Sequence, residues 1–325
     1  MSNELITMII PTIQKDYLRV ARDYRAYFEY LPISRIVFIG PADLEACVRE
    51  DADRAGYQDR VEYMDENAII PYVDVKNAMS HRLATEGYSM SEDSKPGWYY
   101  QQFLKMAYAY VCSDEYYISW DSDTLPLKKI ALFDDLDRPY LDTKAEYNPG
   151  YFRTIKNMFG MDKSYDRSFI AEHMLFSREC MLEMILEIEA LSCDGVRFYE
   201  KILACIDIDN MKMGFSEFET YGTWMINRHP DAYVLRDWKS IRKAGLFVDS
   251  HDLTESDVKW LARDYDAASF ESYHPLVPNL AQIFKDPQTR RSMSVHELYM
   301  RLIKTGVFGE YKDGMIKDGD MYYPI

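Results

Sequence analysis

The chain has 325 residues, 47% hydrophobic and 28% charged, enough to bury a substantial core as one large domain or one domain with an extension. Its 38 basic and 54 acidic side chains leave a formal charge of −16, which opposes binding to nucleic acid and to anionic lipid surfaces. The five cysteines are odd in number, unevenly spaced and without a Cys-x-x-Cys pair, so they indicate neither a disulfide framework nor a thiolate zinc site and fit a reducing cytoplasm.

The first residues, Met1 to Thr12, lack the basic region of a signal peptide. No run approaches the ~18 apolar residues that cross a bilayer, so membrane contact is expected to be peripheral at most. Leu5 to Ile10 reads as a buried strand ended by Pro11-Thr12, and the spacing of Leu18, Ala21 and Phe28 predicts a helix over 16–30. Arg35 to Ile39 is a second strand, Asp43 to Asp51 a helix, Val61 to Met64 a third strand and Asp74 to Ala84 another helix. This alternation predicts an α/β fold with a mostly parallel sheet covered on both faces by helices. Ligands in such sheets bind beyond the carboxyl ends of the strands.

Ser91 to Gly97 is a loop by composition, and Trp98 to Cys112 a helix with Tyr99, Phe103, Met106 and Tyr110 on one face. Next comes the most informative segment. The strand-like run Tyr116 to Trp120 ends in Asp121-Ser122-Asp123, with Pro126 stopping regular pairing soon after. Two hard oxygen donors at a sheet edge suit Mg²⁺ or Mn²⁺, which keep positions open for substrate phosphates. Asp-x-Asp also occurs at Asp51/Asp53, Asp135/Asp137, Asp207/Asp209, Asp264/Asp266 and Asp318/Asp320, but only Asp121/Asp123 directly follows a strand-like run.

Residues 134 to 168, polar, aromatic and poorly periodic, read as an irregular excursion over the active face. Phe169 to Phe176 is a strand interrupted by Glu172 and His173, an ionisable pair that is either functional or at the strand's solvent end. Arg178 to Leu191 and Arg197 to Cys205 are helices. In Gly214 to Trp224, Glu217, Glu219 and Tyr221 alternate with Phe218 and Thr220. This is either a ligand-facing segment or a helix capped by Ser216 with acidic first-turn residues. Phe247 to His251 is strand-like. Helices then dominate, at 257–264, 278–284 and 295–305, before a Gly-, Asp- and Tyr-rich tail.

The segment Gly97-Trp98-Tyr99-Tyr100-Gln101-Gln102-Phe103-Leu104-Lys105, followed by Trp120-Asp121-Ser122-Asp123-Thr124-Leu125-Pro126, resembles a bacterial group of DXD-type glycosyltransferases of the GT-A fold, over residues 5 to 250. The resemblance implies a GT-A-like catalytic domain at 1–250 and a mainly helical extension at 251–325 packed on it. It implies a nucleotide-diphosphate sugar donor and a glycan or glycoconjugate acceptor. Mn²⁺ or Mg²⁺ would sit on Asp123, with Asp121 nearer the ribose or the ion's water shell, and a nucleotide-facing turn at Pro11 and Thr12. Trp98, Gln101, Gln102 and Glu219 are expected on the active face, with Lys105 either there or a solvated helix charge. His251, with His274 next, is the expected further metal ligand. Glu172 is the preferred general base, because partial burial would raise its pKa, with Glu217 its competitor. A non-catalytic nucleotide-sugar or carbohydrate-binding protein is the alternative. A haloacid-dehalogenase-type phosphatase is disfavoured because Leu125 stands where its Asp-x-Asp-x-Thr pattern has Thr, and a dinucleotide fold because no Gly-x-Gly-x-x-Gly follows Ile10.

Overall fold

The computed structural model of the chain describes residues 6–21, 23–91, 94–308, 310–312, 315–318 and 321–324. From the N-terminus, β1 (Ile6–Pro11) leads into a short α1 (Gln14–Asp16), a π-helical turn Tyr17–Ala21 and α2 (Tyr24–Tyr30). Then come β2 (Ile33–Gly40), α3 (Asp43–Ala55), β3 (Val61–Asp65), α4 (Tyr72–Thr85), α5 (Pro96–Ala107) and β4 (Tyr116–Trp120). The middle of the chain holds β5 (Thr124–Pro126), β6 (Tyr140–Thr143), α6 (Pro149–Phe159), β7 (His173–Ser177), α7 (Arg178–Glu189), α8 (Phe198–Cys205) and α9 (Glu217–Arg228). It ends with β8 (Val234–Asp237), β9 (Ser240–Ile241), α10 (Glu255–Leu261), β10 (Ala267–Ser269), α11 (Pro278–Lys285), α12 (Pro287–Ser292) and α13 (Val295–Lys304), followed by short strands in the tail.

The main sheet has the order β3-β2-β1-β4-β7, parallel throughout except for β7, which runs antiparallel to β4. Its strands bury both faces, which is why β1 reads as a continuous apolar run rather than an alternating one. Met8, Ile10, Phe38 and Ile118 pack into one core, and Ile9, Val37, Ile39 and Tyr117 into another on the opposite face. From β1 the chain steps outward to β2 and β3, then crosses back to β4 on β1's other side. The carboxyl ends of β1 and β4 therefore flank a topological switch point, where open α/β sheets hold their ligands. Gly40 lets β2 close on this end, because a Cβ there would collide with the Thr12 carbonyl.

Several segments differ from the expectation. The helix over 16–30 is divided into a π-helical turn and a separate α2. The excursion at 134–168 contains β6 and the three-turn α6, whose start is set by the Asn148 side chain accepting from Gly150 N (2.9 Å) and by Pro149 in the first turn. The strand over 169–176 begins only at His173. Phe247 to Asp249 is an irregular link between 3₁₀ turns at Ala244–Leu246 and Ser250–Asp252, not a strand. Residues 310–324 contain three short antiparallel strands where a tail was expected. Downstream of residue 250, β10 pairs with β5 and β9 and so returns to the strand end that carries Asp123.

The first prediction arises from α9. Phe169 lies across Gly222, so that a Cβ there would fall well under 3.0 Å from the ring. Gly222→Ala would gain about 1 kcal/mol of helix propensity, but overpacking against a buried ring costs about 1–3 kcal/mol, so the clash wins. Urea unfolding should show a lower midpoint for the variant; an unchanged or higher midpoint would mean that Phe169 moves aside freely.

Candidate functional site

The turn at the end of β4 is held from several sides. Asp121 N donates to the Glu172 carbonyl (2.9 Å) and Thr124 N to the Asp121 carbonyl (3.1 Å). Phe270 N, just past β10, donates to the Asp123 carbonyl (2.8 Å), and the Thr124 hydroxyl pairs with Ser269 (2.7 Å). The register Ile9↔Ser119 places Pro11 level with Asp121, two residues further along each parallel strand. Pro11 and Thr12 thus line the switch point, with Thr12 N bonded to Ile39 O (2.8 Å).

Negative charge accumulates here. Asp123 is half-buried, and burial, reinforced by Asp121 and Glu271 and opposed by Arg242, pushes its carboxyl up to about 7. Asp121 is better compensated, because Lys105 on α5 reaches it at 2.8 Å and Glu217 at 2.6 Å. Burial disfavours the Lys105 ammonium, yet the two carboxylates more than reverse this and hold its pKa above the ordinary value. Lys105 is therefore a buried ion-pair bridge and not a solvated helix charge. Glu217, also buried, has its pKa raised by burial, with Lys105 opposing.

Asp121 and Asp123 are hard oxygen donors and the Asp123 carboxyl is short of positive charge, so the chemistry of this pair suits Mg²⁺ or Mn²⁺, whereas Glu271 is already neutralised by Arg242 and His274. Among the described residues, no three His, Cys, Asp or Glu side chains converge on one ion position. His251 lies exposed on a 3₁₀ turn, in a cleft of about 450 Å³ bordered also by Lys15, Arg19, Glu271 and His274. His274 is more closely tied to the acidic set, since its Nδ1 lies 2.8 Å from Glu271.

Glu172 departs from the expectation in two ways. It precedes β7 with φ 59°, a left-handed conformation that costs a non-glycine residue about 1–2 kcal/mol. Its pKa is also lowered, not raised. Burial pushes it up, but Lys144 (2.5 Å), Arg242 and the Ser240 hydroxyl (2.8 Å) outweigh burial, and Trp238 Nε1 donates as well (3.0 Å). His173 is not at a solvent end: its ring nitrogens bond Ala171 O and Asp142, both at 2.9 Å, and it stacks on Trp120. Gln102 is buried; its Oε1 accepts from Glu217 N (3.1 Å) and its Nε2 donates to Trp98 O (3.2 Å), so it secures the start of α9. Trp98 and Gln101 are half-buried on α5, and among the described residues the side-chain hydrogen bonds and ion pairs of Asp121 and Asp123 go to Lys105 and Thr124, not to them.

Ser216 does cap α9, accepting from Glu219 N (3.3 Å). Glu219 is buried beside the Ser168 hydroxyl, with Oε1 unbonded, and burial pushes its carboxyl from 4.5 up to about 7. A raised folded-state pKa contributes stability below about pH 4.5 that is lost as pH rises through 7. Glu219→Gln should abolish that loss, leaving the variant more stable than wild type at pH 8 by on the order of 2–3 kcal/mol and equal to it near pH 4. Parallel urea titrations at the two pH values test this; matched pH slopes would refute it.

The sequence reading missed the residue that organises this region. Arg242 lies 2.6 Å from Glu146, 3.1 Å from Glu271 and 3.6 Å from Glu172. Lys144 and Glu271 were likewise missed. Each is a single charge in a polar stretch, and only tertiary packing buries it.

Sheet order and acidic turn together define an α/β protein with two carboxylates at the carboxyl ends of β1 and β4. The chain belongs to a family of unknown function, DUF6492, whose model matches residues 7–286. No curated protein matches the sequence. Among solved structures it is similar to mouse xyloside xylosyltransferase 1 in its apo form, with a TM-score of 0.45 and 12% identity over 84% of this chain and 99% of that one. It is also similar to the galactosyltransferase LgtC in complex with donor and acceptor sugar analogues, with a TM-score of 0.44 and 11% identity over 91% and 100%. A third likeness is to the glycosyltransferase GlyE of Streptococcus pneumoniae TIGR4, with a TM-score of 0.37 and 9% identity over 93% and 64%.

Proposed function

We propose that the chain is a metal-dependent glycosyltransferase of the DXD type, moving a sugar from a nucleotide-diphosphate donor to a hydroxyl of a glycan or glycoconjugate acceptor. The observation that carries this is the position of Asp121 and Asp123 at the switch point, with an Asp123 carboxyl that its neighbours leave short of positive charge. A bound Mn²⁺ or Mg²⁺, held by Asp121 and Asp123 with His274 or His251 nearby, would act as a Lewis acid toward the departing diphosphate. Lys15 and Arg19, on the segment after β1, border the adjoining cleft and supply positive charge for the same diphosphate.

The two candidate bases divide by environment. Glu172 is committed to Lys144, Ser240 and Trp238 and holds its proton weakly, which suits a fixed countercharge. Glu217 has the raised proton affinity that a general base needs and reaches the donor side through Lys105 and Asp121. Nucleotide sugars tested by thermal shift with Mn²⁺ check the proposal, since a ligand at 100 times its dissociation constant stabilises by about 2.7 kcal/mol. Release of free sugar from the stabilising donor distinguishes an enzyme from a binding protein. If no nucleoside diphosphate stabilises the chain with either metal, the proposal fails.

A further inference from the structure

A second cleft, of about 590 Å³, shares the Glu271 and His274 wall with the cleft that Lys15 and Arg19 border. Its charge runs against that of the whole chain. Lys144, Arg167, Lys239, Arg242, Lys243 and Arg263 line it on a protein of net charge −16. Its four lining carboxylates are already engaged. Arg242 holds Glu146 and Glu271, Arg167 holds Asp237, and Asp264 accepts from His296 N at 2.8 Å.

Lys239 and Arg263 are exposed and, among the described residues, have no carboxylate partner. Tyr273, 67% exposed, stands at the same cleft with its ring 4.6 Å from that of His274. An exposed aromatic ring lining the same cleft as two cations without carboxylate partners suits a flat, partly apolar ring that carries an anionic oxygen group. Glu271 in the shared wall directly follows Phe270, whose N–H holds the Asp123 carbonyl, so this cleft opens beside the acidic strand end.

We propose that this cleft takes the acceptor, and that the acceptor is an anionic saccharide whose carboxylate or phosphate pairs with Lys239 and Arg263 while a sugar ring covers Tyr273. The inference rests on the glycosyltransferase reading. Calorimetric titration of the full chain with glucuronic acid, glucose 6-phosphate and glucose tests it. At least one anionic probe should bind saturably and glucose should not, with the preferred probe telling carboxylate from phosphate. The double variant Lys239→Ala/Arg263→Ala, altered only at exposed positions, should bind that probe about tenfold or more weakly, while its circular dichroism stays unchanged. Asp123→Ala, and added UDP with Mn²⁺, should leave probe binding intact. Glucose binding as tightly as the anions, no anionic probe binding, unchanged binding by the double variant, or displacement by UDP overturns the inference. Anion binding as expected in a protein that no nucleoside diphosphate stabilises leaves the anionic cleft standing and removes the acceptor role along with the transferase reading.

Discussion

Asp123→Ala is expected to abolish metal-dependent binding of a nucleotide-sugar donor and to cut turnover by about 10² to 10⁴, the loss that corresponds to several kcal/mol of leaving-group stabilisation. The fold should not suffer. Asp123 sits among Asp121 and Glu271 with burial working against its charge, and its carboxyl is pushed up to about 7 from an ordinary 3.8. Such a group stabilises the folded state below about pH 3.8 and loses that contribution as pH rises through 7, so removing it relieves the folded protein under alkaline conditions. The variant should therefore unfold at a higher urea concentration than metal-free wild type at pH 8, while binding no Mn²⁺ by calorimetry. Asp121→Ala should lose donor binding less completely and should also lose stability, because Lys105 would then be left with Glu217 alone. Donor hydrolysis at the wild-type rate by Asp123→Ala would remove the central claim. A destabilised Asp123→Ala at pH 8 would instead assign the residue a structural role.

The parts of this site legible in the sequence are those where chemistry and local pattern coincide. Tyr116 to Trp120 is apolar enough to be recognised as a buried strand, so the abrupt acidic pair after it stands out. The same holds for β1 and the turn at Pro11 and Thr12. Helix α6 was hidden although its boundaries carry ordinary signals, an Asn148 cap, Pro149 in the first turn and Gly160 with φ 67° after its end. Its buried Tyr151, Ile155 and Met158 do recur at helical spacing, but over only eleven residues inside a long polar and aromatic stretch, too short a window to stand out. Glu172 misled for a different reason. Interruption of an apolar run correctly marked it as special, but whether burial raises or lowers its pKa depends on Lys144, Arg242 and Ser240, which lie 28 or more residues away in sequence. The preference for His251 rests on a strand-like run from Phe247, yet that run is an irregular link into the 3₁₀ turn Ser250–Asp252, while the chain past β10 brings His274 beside Glu271.

Arg242→Met is expected to destabilise the chain by about 3–4 kcal/mol at neutral pH, toward the lower end for breaking a buried ion pair because the side chain keeps 29% exposure. Its guanidinium faces Glu146, Glu172 and Glu271, and a methionine of similar length fills the space without meeting their charge. Glu172 retains Lys144 and Glu271 retains His274, whereas no other cation is seen with Glu146 among the described residues. The sign of the pH dependence separates this from a simple packing loss. Burial raises the Glu271 carboxyl, but Arg242 and hydrogen bonds from His274 and Tyr273 hold it down to about 2 against an ordinary 4.5. A depressed carboxylate contributes stability above pH 4.5 that fades as pH falls toward 2. Wild type should thus lead the variant fully above pH 5, and the gap should narrow as the acids protonate in both proteins. Urea unfolding at pH 7 and at pH 3.5 measures it. A gap that stays constant between the two would reduce Arg242 to a space-filling residue and dissolve the charge network that joins the acidic strand end to the basic cleft.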